Sequence, residues 1–174
     1  LIVRDESHTC SKTRILAGGS QRPKQQVVRL DRTSHAPDDE ELNEKLIERV
    51  ESRLETLEAL IISDYGNGTV SDEMIERVAR WAGQTLVVVD SRHRLLQFRG
   101  ATAATPNQAE FEECVGRGFR DDQSEEIGRA GSELRDELRM QTLLITRGNQ
   151  GMMLCEKGRE PHSVPIVGRE DITD

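Results

Sequence analysis

The chain has 174 residues, of which 34% are hydrophobic, 32% charged and 3% aromatic, with a formal net charge of −8 and a mean hydropathy of −0.64. That length can bury the core of one domain, and the acidic balance with few aromatics argues against a face for nucleic acid. The longest apolar runs, Leu86 to Val89 among them, are far too short to span a bilayer, so no membrane segment is expected. Three scattered cysteines, Cys10, Cys114 and Cys155, show no C-x-x-C spacing and read as reduced thiols of a cytoplasmic protein, with neither a disulfide framework nor a zinc site. Leu1-Ile2-Val3 reads as the inside of a strand with no signal-peptide pattern around it, and Glu170 to Asp174 carries no stop signal, so both ends are expected to be cut from a larger domain.

Residues 9–17 and 25–31 carry β-branched and alternating residues and predict two strands, joined by turn chemistry from Gly18 to Pro23 into an antiparallel ribbon. Residues 33–39 read as a linker, and a helix is expected from Asp38 or Asp39 with Leu42, Leu46, Val50, Leu54 and Leu57 as its apolar stripe. Ala59 to Ser63 is a short apolar run bounded by Asp64 and Gly66, the pattern of a buried strand. Ser71 can cap a helix running to about Gly83, with Ile75, Val78, Ala79 and Ala82 inward. Thr85 to Val89 predicts a second buried strand ending at Asp90, and Ala101 to Thr105 a third, broken by Pro106. Asn107 can cap a helix bearing Phe111 and Val115, and a further helix is expected from about Ser124 to Met140. Thr142 to Thr146 predicts a fourth buried strand, and Gly151 to Cys155 and Ser163 to Val167 two more, antiparallel. Strands alternating with helices argue for a parallel sheet with helices on both faces.

In such sheets ligands bind outside the carboxyl ends of the strands. Polar residues stand at those ends: Asp64, Asp90, Asn107 and Thr146. A single one is ordinary turn or cap chemistry; four in succession point to a shared crevice. Asn107-Gln108-Ala109-Glu110 opens a helix whose unpaired N–H groups suit a phosphate. Asn107 and Glu110, three apart, can order a hydrated Mg²⁺, or can equally form a capping box, which uses the same spacing. In Thr146-Arg147-Gly148-Asn149-Gln150-Gly151 the glycines let backbone N–H groups approach an anion, while a plain hairpin turn is the competing reading.

In order, these pieces resemble the PfkB or ribokinase family of carbohydrate kinases. Asn107 to Glu110 matches its N-x-x-E motif, and Thr146 to Gly151 resembles its T-x-G-x-x-G nucleotide loop. Ser11 to Gly18, Gln25 to Asp31, Ser63-Asp64-Tyr65-Gly66, Val87 to Asp90 and Thr105-Pro106-Asn107 resemble the heptose-7-phosphate kinases within that family. Two positions depart from their pattern: Asn67 stands where Lys is usual and Ser91-Arg92 where Pro-Lys is usual.

The resemblance implies an α/β, ribokinase-like (Rossmann-like) three-layer sandwich with a mainly parallel sheet and a small β-ribbon lid. Residues 1–174 would form part of one such domain, 9–31 as the lid and 38–174 as the α/β core. The implied activity is phosphorylation of the anomeric hydroxyl of a heptose phosphate by ATP with Mg²⁺. Alternatives are another PfkB sugar or nucleoside kinase, or a non-catalytic nucleotide-binding relative. Asn107, Gln108, Ala109, Glu110, Thr146, Gly148 and Gly151 would bind the nucleotide, with Asn107 and Glu110 holding Mg²⁺ through water and Asp90 a further metal candidate. Lys12, Arg14 and Asp64 would contact the substrate, although a solvated basic strand face is an equal reading for Lys12 and Arg14. The family's catalytic base, in a Gly-Ala-Gly-Asp segment, is expected beyond Asp174, which would leave this chain inactive by itself. A homodimer through the ribbon is also implied.

Overall fold

The computed structural model describes residues 10–18, 25–32 and 40–166. The expected turn at 19–24, the linker at 33–39 and both ends lie outside the described residues. Strands β1 (Ser11–Ala17) and β2 (Gln25–Arg32) form the antiparallel ribbon. Their register puts Lys12, Arg14, Arg29 and Asp31 on one face and Thr13, Ile15, Val28 and Leu30 on the other. Every ribbon residue is exposed.

The remaining elements follow in chain order. Helix α1 (Glu40–Glu51) leads to β3 (Ala59–Asp64), α2 (Asp72–Ala82) to β4 (Leu86–Ser91), and a two-residue β5 (Ala103–Ala104) to α3 (Gln108–Val115) and α4 (Ser124–Glu137). Then come β6 (Thr142–Thr146), β7 (Met152–Glu156) and β8 (His162–Val164). The sheet order is β3-β4-β5-β6-β7-β8, parallel through β6 and antiparallel beyond it. The mainly parallel sheet and its antiparallel tail match the sequence expectation; the expected helices on both faces are found on one face only among the described residues.

The registers divide the sheet into two faces. On one, Val87, Val89, Ala104, Leu143, Ile145, Met153 and Cys155 are buried in a single core with Ile75, Val78, Trp81, Ile127 and Leu134 of the helices. The other, including Ala59, Ile61, Leu86, Val88, Leu144 and Leu154, has no buried residue. Among the described residues the helices therefore cover one face alone.

This arrangement corrects several local expectations. β3 is a half-exposed edge strand: it has a neighbour on one side only, and Ile61, 72% exposed, lies on the uncovered face. α1 stops at Glu51, and Leu54 reaches the core from a 3₁₀ turn (Leu54–Thr56); Ile47, absent from the expected stripe, is the helix's buried residue. Ala79 is exposed and Trp81 is buried in its stead, its indole N–H donating to Glu51 Oε1 at 3.2 Å. Glu51 also pairs with Arg77 and Arg80, so one carboxylate joins α1 to α2. Periodicity locates an apolar stripe, but the tertiary neighbours decide which of its residues are buried.

Candidate active site

Strands β3, β4, β5 and β6 are parallel and end on the same side of the sheet. Asp64, Tyr65, Asp90, Arg92, Thr105, Asn107, Glu110 and Thr146 line one crevice of about 440 Å³ there. The four polar strand ends picked out in the sequence thus come together. The backbone fixes their spacing: Arg92 N–H donates to Asp64 O at 3.1 Å, Thr105 N–H to Val89 O at 3.0 Å, and Thr146 N–H to Pro106 O at 2.9 Å. An isolated parallel bridge pairs Asn107 with Thr146.

The capping box at α3 is fully formed. Glu110 N–H donates to Asn107 Oδ1 and Asn107 N–H to Glu110 Oε2, both at 2.9 Å. This occupies one carboxylate oxygen of Glu110, a residue of the crevice wall, and leaves Oε1 without a hydrogen bond among the described residues. The capping and ligand readings therefore use different oxygens of one side chain. The N–H groups of Gln108 and Ala109, in the first helical turn, have no acceptor inside the helix and lie at its positive end. No group of three His, Cys, Asp or Glu side chains converges on a metal position among the described residues. A hydrated Mg²⁺ needs fewer protein ligands than that, and the donor set of an amide oxygen and carboxylates suits it.

The loop between β6 and β7 is a hairpin connection that leaves the crevice wall at Thr146. Gly148 (φ +52) has nothing within 4 Å of where a Cβ would stand, so its backbone is open to an approaching group. Gly151 (φ +80) is glycine for the opposite reason: a Cβ there would lie 2.1 Å from Val164 O, where the chain leaving β8 crosses beneath the loop.

Asp64 differs from its expected role. It is 3% exposed and accepts four hydrogen bonds: Gly66 N–H at 3.0 Å and Arg94 Nη2 at 2.8 Å on Oδ1, Ser91 Oγ at 2.9 Å and Arg94 Nε at 3.0 Å on Oδ2. A carboxylate with all four lone-pair sites engaged has none to offer a sugar hydroxyl. Asp64 instead fixes the turn after β3 to Ser91 and Arg94 behind the crevice. Burial pushes its carboxyl upward, but the Arg94 fork, the Gly66 N–H and the Ser91 hydroxyl outweigh that and hold it below the ordinary range. The unusual Ser91 is thus a working part of this cluster. Arg94 was missed in the sequence because nothing local distinguishes a pairing arginine from a solvated one.

Lys12 stands 5.0 Å above the Tyr65 ring, which puts the start of β1 beside the crevice mouth. Asn67 Nδ2 reaches Cys10 Sγ at 3.9 Å across the same junction. Arg14 is exposed two residues farther along the ribbon and is not part of the crevice wall. Arg92 stands at the crevice with no ion-pair partner among the described residues. Of the thiols, Cys155 is buried, Cys114 is half-buried beside Glu113 and Glu110, and Cys10 is exposed. Burial and the two carboxylates push the Cys114 thiol up to about 11, so it stays neutral and unreactive at neutral pH.

A parallel sheet whose strand ends open on a crevice beside a helix N-terminus is the architecture of an α/β protein with its ligand crevice at the carboxyl ends of the strands, and the helix end suits an anion. Residues 3–174 match the family model for pfkB family carbohydrate kinases, and the chain belongs to that family. It is 35% identical over 176 residues to the bifunctional protein HldE of Haemophilus influenzae (strain PittEE), covering 97% of this chain and 34% of that protein. HldE of Geobacter sulfurreducens is 34% identical over 181 residues, covering 99% and 35%. The chain thus spans about a third of the length of these relatives. Among solved structures, Escherichia coli phosphofructokinase-2 in complex with substrates and products superposes with a TM-score of 0.59 at 18% identity, over 83% of this chain and 48% of that one. Arabidopsis thaliana ribokinase complexed with ribose and ATP gives 0.58 at 13% identity, over 93% and 50%. The fold is ribokinase-like.

Proposed function

We propose that a kinase domain carrying this sequence transfers the terminal phosphoryl group of ATP to the anomeric hydroxyl of D-glycero-D-manno-heptose 7-phosphate, giving the 1,7-bisphosphate used for ADP-heptose and the lipopolysaccharide core. The observation that carries a phosphoryl-transfer reading is the convergence of Asp90, Asn107, Glu110 and Thr146 on one crevice beside the α3 N-terminus. The heptose assignment rests on the relatives matched along nearly the whole chain.

The roles follow from chemistry. Phosphoryl transfer is mostly positioning and charge stabilisation. The Gln108 and Ala109 N–H groups and the open backbone at Gly148 receive phosphate oxygens, while Thr146 and Gly151 shape the loop. Asn107 and Glu110 hold hydrated Mg²⁺, with Asp90 across the crevice as a further acceptor. When bound, that ion neutralises charge on the transferring group. Lys12 and Arg92 supply positive charge at the mouth for the sugar's phosphate, and Arg14 extends it along the ribbon. The hydroxyl proton goes to the base that the family resemblance assigns to a Gly-Ala-Gly-Asp segment.

The test is ATP turnover by the intact kinase domain with heptose 7-phosphate, beside Glu110→Gln. Glutamine satisfies a capping box as glutamate does, so the variant keeps its fold and loses only the anionic oxygen. Sugar-dependent turnover that falls at least about tenfold in the variant, with an unchanged melting temperature, supports the reading. Equal turnover would remove Glu110 from the metal site. Turnover only with another sugar phosphate or a nucleoside would retain the kinase and replace its substrate.

A further inference from the structure

Arg147 occupies the second position of the glycine loop and is 5% exposed. Its three guanidinium nitrogens each donate to a different group: Nε to Gln108 Oε1 at 3.2 Å, Nη1 to Ser124 Oγ at 3.0 Å, and Nη2 to Asp121 O at 3.1 Å. These acceptors belong to the first turn of α3, the start of α4 and the loop between them. The orientation of the Gln108 amide is fixed from its other side, since Nε2 donates to Glu112 Oε1 at 2.9 Å. Glu112 in turn accepts Phe119 N–H at 3.0 Å, which ties in the loop before α4. The Arg147 backbone closes the glycine loop, its N–H donating to Gly151 O at 2.8 Å and its carbonyl accepting Gln150 N–H at 2.9 Å.

The partners of this residue set it apart. The other buried or half-buried arginines of the core pair with carboxylates, Arg94 with Asp64 at 2.8 Å and Arg135 with Asp136 at 2.8 Å. Arg147 has only neutral oxygens, and no carboxylate lies within ion-pair distance of it among the described residues. A buried guanidinium without a counter-ion is costly for the fold, and neutral dipoles offset only part of that cost. Such a charge gains from an anion bound nearby, even without direct contact.

We propose that Arg147 is a positioning residue for a nucleoside triphosphate: it locks the glycine loop, the first turn of α3 and the start of α4 into one preformed cradle, and its unpaired charge favours the polyphosphate over the empty state. This rests on the reading that the crevice takes a nucleotide. Arg147 acts through Gln108 and the loop backbone, and no contact between it and the ligand is required.

The experiment measures MgATP affinity by calorimetry at low and high salt, and the KM values for ATP and sugar, in the intact kinase domain and in Arg147→Met, Arg147→Lys and the exposed control Arg159→Gln. Arg147→Met should weaken ATP binding about tenfold with the sugar KM within about twofold of wild type. Arg147→Lys keeps the charge but cannot reach three acceptors at once, so it should fall between the two, about threefold weaker. Its loss should shrink less at high salt than that of a pure charge deletion. Wild-type ATP affinity in Arg147→Met, with only a lowered melting temperature, would overturn the inference and leave a purely structural arginine. Should Arg147→Met fail to fold, Arg147→Lys decides, because wild-type affinity and KM there would be equally fatal. If the unmutated domain binds no ATP while folded, the nucleotide reading of the crevice fails and the inference falls with it.

Discussion

Asp64 shows how a single residue's surroundings reassign it. A polar residue at a strand end reads as a ligand group, yet here Arg94, Ser91 and Gly66 fill its acceptor sites. Its pH behaviour follows. The folded carboxyl sits below the ordinary aspartate range, so its contribution is present above about pH 4 and is lost as pH falls through the lower folded value. Asp64→Asn should therefore destabilise the intact domain by about 3 kcal/mol at pH 7, since it leaves the Arg94 fork without its anion. The gap to wild type should narrow steadily below about pH 4. Urea melts at a series of pH values check this, and a gap that stays constant into acid would mean that the pair contributes no net charge stabilisation. The sequence offered no hint of this saturation because three of the four donors come from two residues of a different strand end.

At the scale of elements, capping and turn chemistry were legible because both are local. Ser71 caps α2, its Oγ accepting Met74 N–H at 3.3 Å, and Asn107 caps α3, as their spacing implies. The β6–β7 connection was legible as a glycine loop, but the two glycines serve different ends. Gly151→Ala would place a Cβ against Val164 O and hold alanine at φ +80, so it should cost more than about 2 kcal/mol and shift the start of β7. Thermal denaturation of the variant measures the cost; a loss below about half a kcal/mol would show that the chain after β8 yields freely. Gly148, with open space around it, should tolerate alanine far better in stability, since only the left-handed φ opposes it. The end of α1 was not legible. An apolar stripe continues past Glu51, yet the helix stops there and Leu54 reaches the core from a 3₁₀ turn.

For the whole molecule, the two sheet faces and the ribbon carry the consequences. Ile61, Leu86 and Val88 lie on the face that no described residue covers, and the solved kinases with this fold are about twice the length of the matched region. The ribbon likewise turns Ile15, Val28 and Leu30 to one side with exposures of 49%, 41% and 55%, an apolar stripe that a second ribbon would cover. If the intact domain is a homodimer through this stripe, Ile15→Lys with Leu30→Lys should convert it to monomer in sedimentation equilibrium. An unchanged oligomer would assign the contact to another surface.

The sequence by itself determined the order of strands and helices, the helix caps, the glycine loop and the set of polar strand ends, because each depends on residues a few positions apart and on a hydrophobic period. The parallel sheet that unites Asp64, Asp90, Asn107 and Thr146 could be inferred from that order. Only the tertiary structure decided which of those residues still had an acceptor to offer, which strand became an edge, and which arginine was buried without an acid. Those outcomes depend on partners brought from 20 to 40 positions away, Ser124 and Gln108 to Arg147 and Arg94 to Asp64, and no local pattern encodes a hydrogen bond whose two ends meet only after the sheet has formed.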